Sequence, residues 1–142
     1  MHPEAYIELR LKSKMKTPIN KEILEKAVRL HGHLGPFLVL GLKMSLRAEE
    51  ILGEKPAKCV IETVNRKPYL CAVDGVKAVL EKALVEVCED DGLAARFSGS
   101  NGGETTIRVK RSLVEEYARV PWEKCEEYAE EVMRSSDSQL FE

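Results

Sequence analysis

Apolar and polar residues alternate near the start of the chain and then change to a helical period. Over residues 5–12 every second side chain is apolar, and a period of two predicts a strand with one buried face. Beyond Pro18 the apolar positions recur every three or four residues as far as His31, which predicts an amphipathic helix. Because glycine commonly follows the last helical residue, we expect this helix to stop at Gly32.

The next elements are predicted from apolar runs and from the residues that interrupt them. Pro36 begins a second helix that is apolar on every side over residues 37–42, so this helix is predicted to be buried, and Gly53 ends it. Residues 59–64 form a short β-prone run without clean alternation, which predicts a strand covered on both faces. A third helix is predicted over residues 71–83.

The pattern of apolar residues in the second half of the chain predicts a meander of three strands. Alternating apolar residues occur at 85–87, 93–98 and 105–110, with a turn at 91–92 and a glycine-rich hairpin loop at 99–103. Because consecutive strands joined by short turns usually pair with each other, we expect these three strands to form an antiparallel sheet.

Helices are predicted to complete the chain. Ser112 with Glu115 fits a capping box, and Pro121 begins a last amphipathic helix. The predicted apolar stripe of that helix comprises Trp122, Cys125, Ala129, Val132 and Met133. These elements together predict an α+β fold in which helices pack on a mixed, mostly antiparallel sheet.

Length and charge narrow the functional classes. The chain has 142 residues, enough for a single domain, and its net charge of −2 gives no overall attraction for nucleic acid or an anionic membrane. No segment approaches eighteen consecutive apolar residues, and the N-terminus lacks an apolar signal core, so we expect a cytoplasmic protein. Glutamate and lysine far outnumber asparagine and glutamine, which is typical of proteins from thermophiles.

The joint between the first two helices contains two of the three histidines, in the sequence His31-Gly32-His33-Leu34-Gly35-Pro36. Glycines beside His33 allow a tight turn, in which two neutral imidazoles can converge on one metal ion. The alternative is that His31 belongs to the buried helix stripe and that His33 is a loop residue bonded to backbone. The spacing alone leaves both interpretations open.

A second candidate group is Cys71 and Asp74 at the start of the third helix. A thiol at a helix N-terminus beside Arg66 and Lys67 is expected to have a lowered pKa and to be a good nucleophile or soft metal ligand. The alternative is a buried structural thiol, with Asp74 as a first-turn acid that favours the helix dipole. The other three cysteines are interpreted as core residues, and without a Cys-x-x-Cys pair the chain shows no zinc-ribbon signature.

The histidine string and the later string Cys71-Ala72-Val73-Asp74-Gly75-Val76 together resemble the FmdE-like family, which takes its name from formylmethanofuran dehydrogenase, over about residues 20–111. The family pattern is His-Gly-His-x-Cys-Pro before a buried helix, then Cys-Gly-Val-Asp-Ala-Ile. The resemblance implies a fold similar to the C-terminal domain of glyceraldehyde-3-phosphate dehydrogenase, a homodimer, and a metal ion, usually zinc, near both motifs. It also implies an archaeal setting and an association with a molybdenum or tungsten enzyme of one-carbon metabolism.

Three departures from the family pattern affect the expected site. Gly35 stands where the family has a cysteine, and Lys82 lies where a second family cysteine would fall in a glycine-rich loop. A C-terminal cysteine-rich zinc module is also missing. We therefore expect one domain over residues 1–142, in which residues 112–142 form a helical extension.

The remaining motif residues make a plausible zinc site. Two imidazoles and one thiolate, from His31, His33 and Cys71, would leave a fourth position open for water or a small-molecule substrate. Asp74 would orient an imidazole or act as a base. Two alternatives stay open: a non-catalytic accessory or homodimeric scaffold subunit with a degenerate site, and a thiol-based redox role for Cys71. Whether the protein is an enzyme is not decided by the sequence.

Overall fold

The computed structural model describes residues 21–142, and the strand predicted over residues 5–12 lies outside them. The described part is an α+β fold, as predicted. Its elements are α1 (Lys21–His31), α2 (Pro36–Leu52), β1 (Lys58–Thr63), α3 (Cys71–Val79), β2 (Leu84–Glu89), β3 (Leu93–Ser98), β4 (Glu104–Arg108), α4 (Arg111–Ala118), a 3-10 turn (Trp122–Lys124), α5 (Cys125–Arg134) and α6 (Asp137–Leu140). Among these helices none is both long and apolar enough to cross a membrane.

The sheet has the strand order β2-β1-β3-β4, which corrects the predicted meander. Strand β1 lies between β2 and β3, pairing parallel with β2 (Cys59 opposite Val85) and antiparallel with β3 (Cys59 opposite Phe97). Helix α3 forms the crossover between the two parallel strands, since parallel neighbours need a long connection. The β3–β4 hairpin is confirmed as antiparallel. The sheet is therefore mixed and mostly antiparallel, as expected, although β2 has a different neighbour.

Strand β1 is buried on one face rather than on two. Cys59, Ile61 and Thr63 are buried, whereas Val60 and Glu62 are half-exposed. The outward face is charged, because the carboxylate of Glu62 lies between the guanidinium groups of two arginines on β3 and β4, at 3.6 Å and 3.8 Å. The helices therefore cover one face of the sheet, and the prediction of a strand covered on both faces is wrong.

Helix α2 is the buried centre of the fold. It runs from Pro36 to Leu52 and is followed by Gly53, whose φ of 74° is the left-handed conformation that favours glycine. Its backbone touches that of α3: a Cβ on Gly41 would overlap the carbonyl oxygen of Ala72, and a Cβ on Gly75 would overlap that of Leu38. The two glycines thus allow the start of α3 to lie directly against the first turns of α2.

Two predicted helix boundaries differ from the structure. Helix α3 ends at Val79 rather than near residue 83, because Leu80 leaves the helical conformation (φ −108°, ψ 66°). Helix α4 begins at Arg111 without a side-chain cap, so the predicted capping box at Ser112 is wrong. A capping box does occur further on, where Ser136 and Gln139 cap α6.

The last long helix begins after the 3-10 turn, at Cys125 rather than at Pro121. Ala129, Val132 and Met133 are buried as predicted, but Trp122 is 71% exposed and does not belong to the apolar stripe.

The C-terminal end of α5 is held against α2 by a buried lysine. The ammonium group of Lys43 donates to the carbonyl oxygens of Met133 (3.1 Å) and Ser135 (2.6 Å), which satisfies the free carbonyls at a helix C-terminus.

Candidate ligand site at the histidine joint

A cavity of about 550 Å³ lies where the joint between α1 and α2 meets the start of α3 and the segment that leads into α5. Most of its wall is apolar. Its wall carries two imidazoles, two thiols, one ammonium group and one phenol, supplied by His31, His33, Cys71, Cys125, Lys67 and Tyr117. A largely apolar cavity with a few convergent polar groups is typical of a small-molecule site.

The histidine joint is shaped by its glycines. Gly32 adopts a φ of 102°, and its N–H donates to the carbonyl oxygen of Val28 at 2.7 Å, which ends α1 immediately after His31. Gly35 is extended (φ −147°) and precedes the Pro36 that begins α2. The short turn between these glycines brings the two imidazole rings together, with their centroids 4.7 Å apart.

His31 is held by one ring nitrogen and left unpaired at the other. Its side chain is only 8% exposed, and Nδ1 lies 3.0 Å from Oδ2 of Asp74 on α3. Since a carboxylate only accepts hydrogen bonds, Nδ1 is the protonated nitrogen and Nε2 carries a lone pair in the neutral ring. Nε2 is buried and has no hydrogen-bond partner. Asp74 therefore holds one edge of the ring, and the opposite edge lacks the partner that buried polar atoms normally have.

The ring of His33 lies close to two other rings that line the cavity. Its centroid is 4.2 Å from that of Trp122 and 4.7 Å from that of His31, and both ring pairs are tilted. Burial lowers the pKa of His33, and the neighbouring His31 lowers it further; Glu126 acts in the opposite direction, and Lys67 adds a smaller lowering effect. A lowered pKa keeps the imidazole neutral near pH 7, which is the form that binds metals.

Cys71 is the first residue of α3 and is buried at the cavity wall. Burial, and to a smaller extent the charge of Asp74, raise the pKa of its thiol to about 11, whereas Lys67 acts in the opposite direction with a smaller effect. The sequence prediction of a lowered pKa is therefore wrong, because desolvation outweighs the nearby cations. The thiol is protonated at neutral pH, which counts against a reactive thiolate in the metal-free protein.

Cys125 is a cavity residue that sequence reasoning placed in the core. It is half-buried at the start of α5, where its Sγ lies 3.8 Å from the carbonyl oxygen of Pro121. A Cβ built on Gly35 would lie 3.5 Å from Nε2 of His33 and 3.9 Å from Cβ of Cys125. Cys71 and Cys125 line the same cavity. No local signal marks this cysteine, because its position depends on how α5 packs against α2.

The predicted ligands thus line one cavity without forming a finished metal cluster. Within residues 21–142 no three histidine, cysteine, aspartate or glutamate side chains are grouped so that they would hold an ion. His31 and His33 are brought together by the turn, and Cys71 is placed on an adjoining wall. The sequence did not predict that Nε2 of His31 would be buried without a hydrogen-bond partner.

The fold and the site define an α+β domain with an imidazole- and thiol-lined cavity beside a central buried helix. Comparison with family models identifies the family more narrowly. The model described as FmdE, molybdenum formylmethanofuran dehydrogenase operon, matches residues 30–142, and the chain therefore belongs to the FmdE family. The match confirms the resemblance and extends it beyond residue 111 to the end of the C-terminal helices. A search of curated proteins found no match.

Proposed function

We propose that this FmdE-family protein binds a zinc ion in the cavity through His31, His33 and Cys71 and uses it to bind a small molecule. The observation that carries the proposal is Nε2 of His31, a buried nitrogen without a partner on a ring whose other nitrogen is bonded to Asp74. A carboxylate on the far nitrogen is the usual partner of a metal-binding histidine, since it fixes the tautomer and the ring orientation.

The other wall residues support the same function. The lowered pKa of His33 keeps that imidazole neutral, and the ring of Trp122 lies against it. Lys67 gives the cavity a positive charge that would attract an anionic or oxygen-rich small molecule. When bound, zinc supplies Lewis-acid activation of water or of an oxygenated ligand. Membership of the FmdE family supports a role linked to formylmethanofuran dehydrogenase in one-carbon metabolism.

Metal content of untagged protein tests the zinc proposal. We expect about one zinc per chain for the unchanged protein and for Cys88→Ser, a control that removes an exposed thiol outside the cavity. His31→Gln and Cys71→Ser should lose most of the metal. Asp74→Asn should weaken binding about 10- to 100-fold, since it removes the carboxylate that orients His31. Equal metal content in all these proteins would refute the proposal.

A second candidate function is an accessory subunit in which the site no longer works. It is favoured by the lack of a three-ligand group in the described part of the chain. Among the described strands β2 lies at an edge of the sheet, and its exposed Leu84 and Val87 (59% and 41%) support the accompanying homodimer. Light scattering at micromolar concentration measures the assembly, and a dimer without bound zinc would favour this candidate over the first.

A further inference from the structure

We propose that the cavity binds a planar aromatic anion without a metal ion. Lys67 pairs with the anionic group, and the rings of His33 and Trp122 pack against the aromatic body. The inference rests on the part of the proposed function that assigns a small molecule to this cavity, and not on the zinc ion. It adds the chemical class of that molecule, a small ring system that carries a carboxylate or sulfonate group.

The first argument is the aromatic character of the cavity wall. Besides the imidazole of His33, the residues that line it include Phe37, Tyr117 and Trp122. Aromatic rings attract one another in offset or edge-to-face arrangements, beyond the effect of the area that they bury. A volume of about 550 Å³ lies within the range of cavities that enclose a drug-sized ligand. The wall therefore favours a ring-bearing ligand of moderate size.

Trp122 offers a ligand the largest exposed ring of this wall. Its side chain is 71% exposed, although tryptophan is on average a highly buried residue. One neighbour of the indole is the ring of His33, at a centroid distance of 4.2 Å and an interplanar angle of 38°. Because much of the indole is left in contact with water, a ring bound beside it would bury apolar surface on both partners.

The second argument is the charge of the cavity. Lys67 is the only lysine or arginine among the described residues that line it, and none of these residues is an aspartate or glutamate. The neighbouring guanidinium of Arg66 lies over the ring of Tyr69 instead, 5.5 Å from its centroid. Burial is the largest cause of the pKa shifts of His33 and Cys71, but the charge of Lys67 acts on both groups. An unbalanced positive charge beside apolar walls favours a ligand with one anionic group.

Calorimetric titration of the metal-free, full-length protein with naphthoate in 0.15 M salt, about physiological ionic strength, tests the inference. Naphthalenemethanol is the matched neutral probe, because it keeps the rings and replaces the carboxylate by a hydroxymethyl group. We expect it to bind about 10- to 100-fold more weakly than naphthoate, since the charge-assisted hydrogen bond is lost. Lys67→Met should weaken naphthoate binding by a similar factor and leave the binding of naphthalenemethanol unchanged. Arg66→Met, which removes a neighbouring charge outside the cavity wall, should change neither affinity by more than about twofold.

The aromatic part of the inference has its own probe and variants. Decanoate carries the same charge on a flexible aliphatic chain, and we expect it to bind about tenfold more weakly than naphthoate. Trp122→Ala should weaken naphthoate binding about tenfold, and Trp122→Phe should keep most of the affinity. Leu84→Ser removes an exposed apolar side chain outside the cavity and should have no effect. Circular dichroism shows whether each variant is folded.

The outcomes separate this inference from the zinc proposal. Equal affinity for naphthoate and naphthalenemethanol, or for naphthoate and decanoate, would overturn the assigned class of ligand. Naphthoate binding that occurs only after zinc is added would overturn the metal-free site and support the zinc proposal. A protein that contains zinc but does not bind naphthoate refutes this inference alone. A protein that binds naphthoate through Lys67 but takes up no zinc confirms the inference and refutes the zinc proposal.

Discussion

One methyl group at Gly75 is expected to force helices α2 and α3 apart. In Gly75→Ala the new Cβ would overlap the carbonyl oxygen of Leu38 and lie 2.9 Å from the backbone nitrogen of Leu42. Alanine in a helix gains about 1 kcal/mol over glycine. Overpacking costs about 3 kcal/mol at the upper end of its usual range, which is appropriate because the opposing atoms are backbone and cannot rotate away. We therefore expect a net loss of about 2 kcal/mol in the free energy of unfolding.

Urea unfolding followed by circular dichroism measures this loss as a lower midpoint at an unchanged slope. Gly35→Ala is the matched control, since the same methyl group meets only contacts of 3.5 Å or more there, and its effect should stay within about 0.5 kcal/mol. Adding Gly41→Ala to Gly75→Ala should cost less than the sum of the two, because both changes separate the same helix pair. A Gly75→Ala protein as stable as the unchanged one would refute the close contact of the backbones.

Three further predictions follow from buried polar groups. Tyr117→Phe should destabilise the fold by about 1 kcal/mol in urea unfolding, because it removes a hydrogen bond of 2.8 Å from the phenol to Glu131; no change would show that water replaces the bond. Lys43→Met should cost about 2 kcal/mol, since two carbonyl oxygens at the end of α5 lose their donor, and an equally stable variant would contradict that role. In the metal-free protein the pKa of Cys71, raised to about 11 in the folded state, should make stability fall as the pH rises from about 9 to 11, because the unfolded thiol ionises first. Cys71→Ala should reduce this alkaline loss by about 2 kcal/mol relative to the exposed-site control Cys88→Ala, and parallel pH profiles would refute it.

Local sequence signals located the helix boundaries that depend on single residues. Gly32 and Gly53 end helices because each has a positive φ, and Pro36 begins one because its ring fits the first helical position. These boundaries require no knowledge of the rest of the chain. The capping box expected at Ser112 failed, because α4 begins one residue earlier and Ser112 already lies inside it.

Features that depend on packing between residues far apart in the sequence could not be predicted from local sequence signals. The alternating pattern of β2 shows that it is a strand, but not that β1 lies between it and β3. The cations beside Cys71 suggested a lowered pKa, whereas the actual shift is governed by burial under the rest of the fold. Cys125 carries a helical apolar pattern that is the same for a core residue and for a cavity wall. In each case the sequence predicts the type of secondary structure but not which distant residues pack against it.

The walls of the cavity have one common support, which is helix α2. The histidine joint enters its first turn at Pro36, so the imidazoles are fixed relative to its N-terminus. Gly41 contacts the backbone of Ala72 and so positions the adjacent Cys71, while Lys43 binds the far end of α5, whose first residue is Cys125. A helix that positions three surrounding segments must be packed on every side, which explains why its first ten residues are buried all round. The burial of α2 therefore belongs to the hydrophobic core and also determines the geometry of the site.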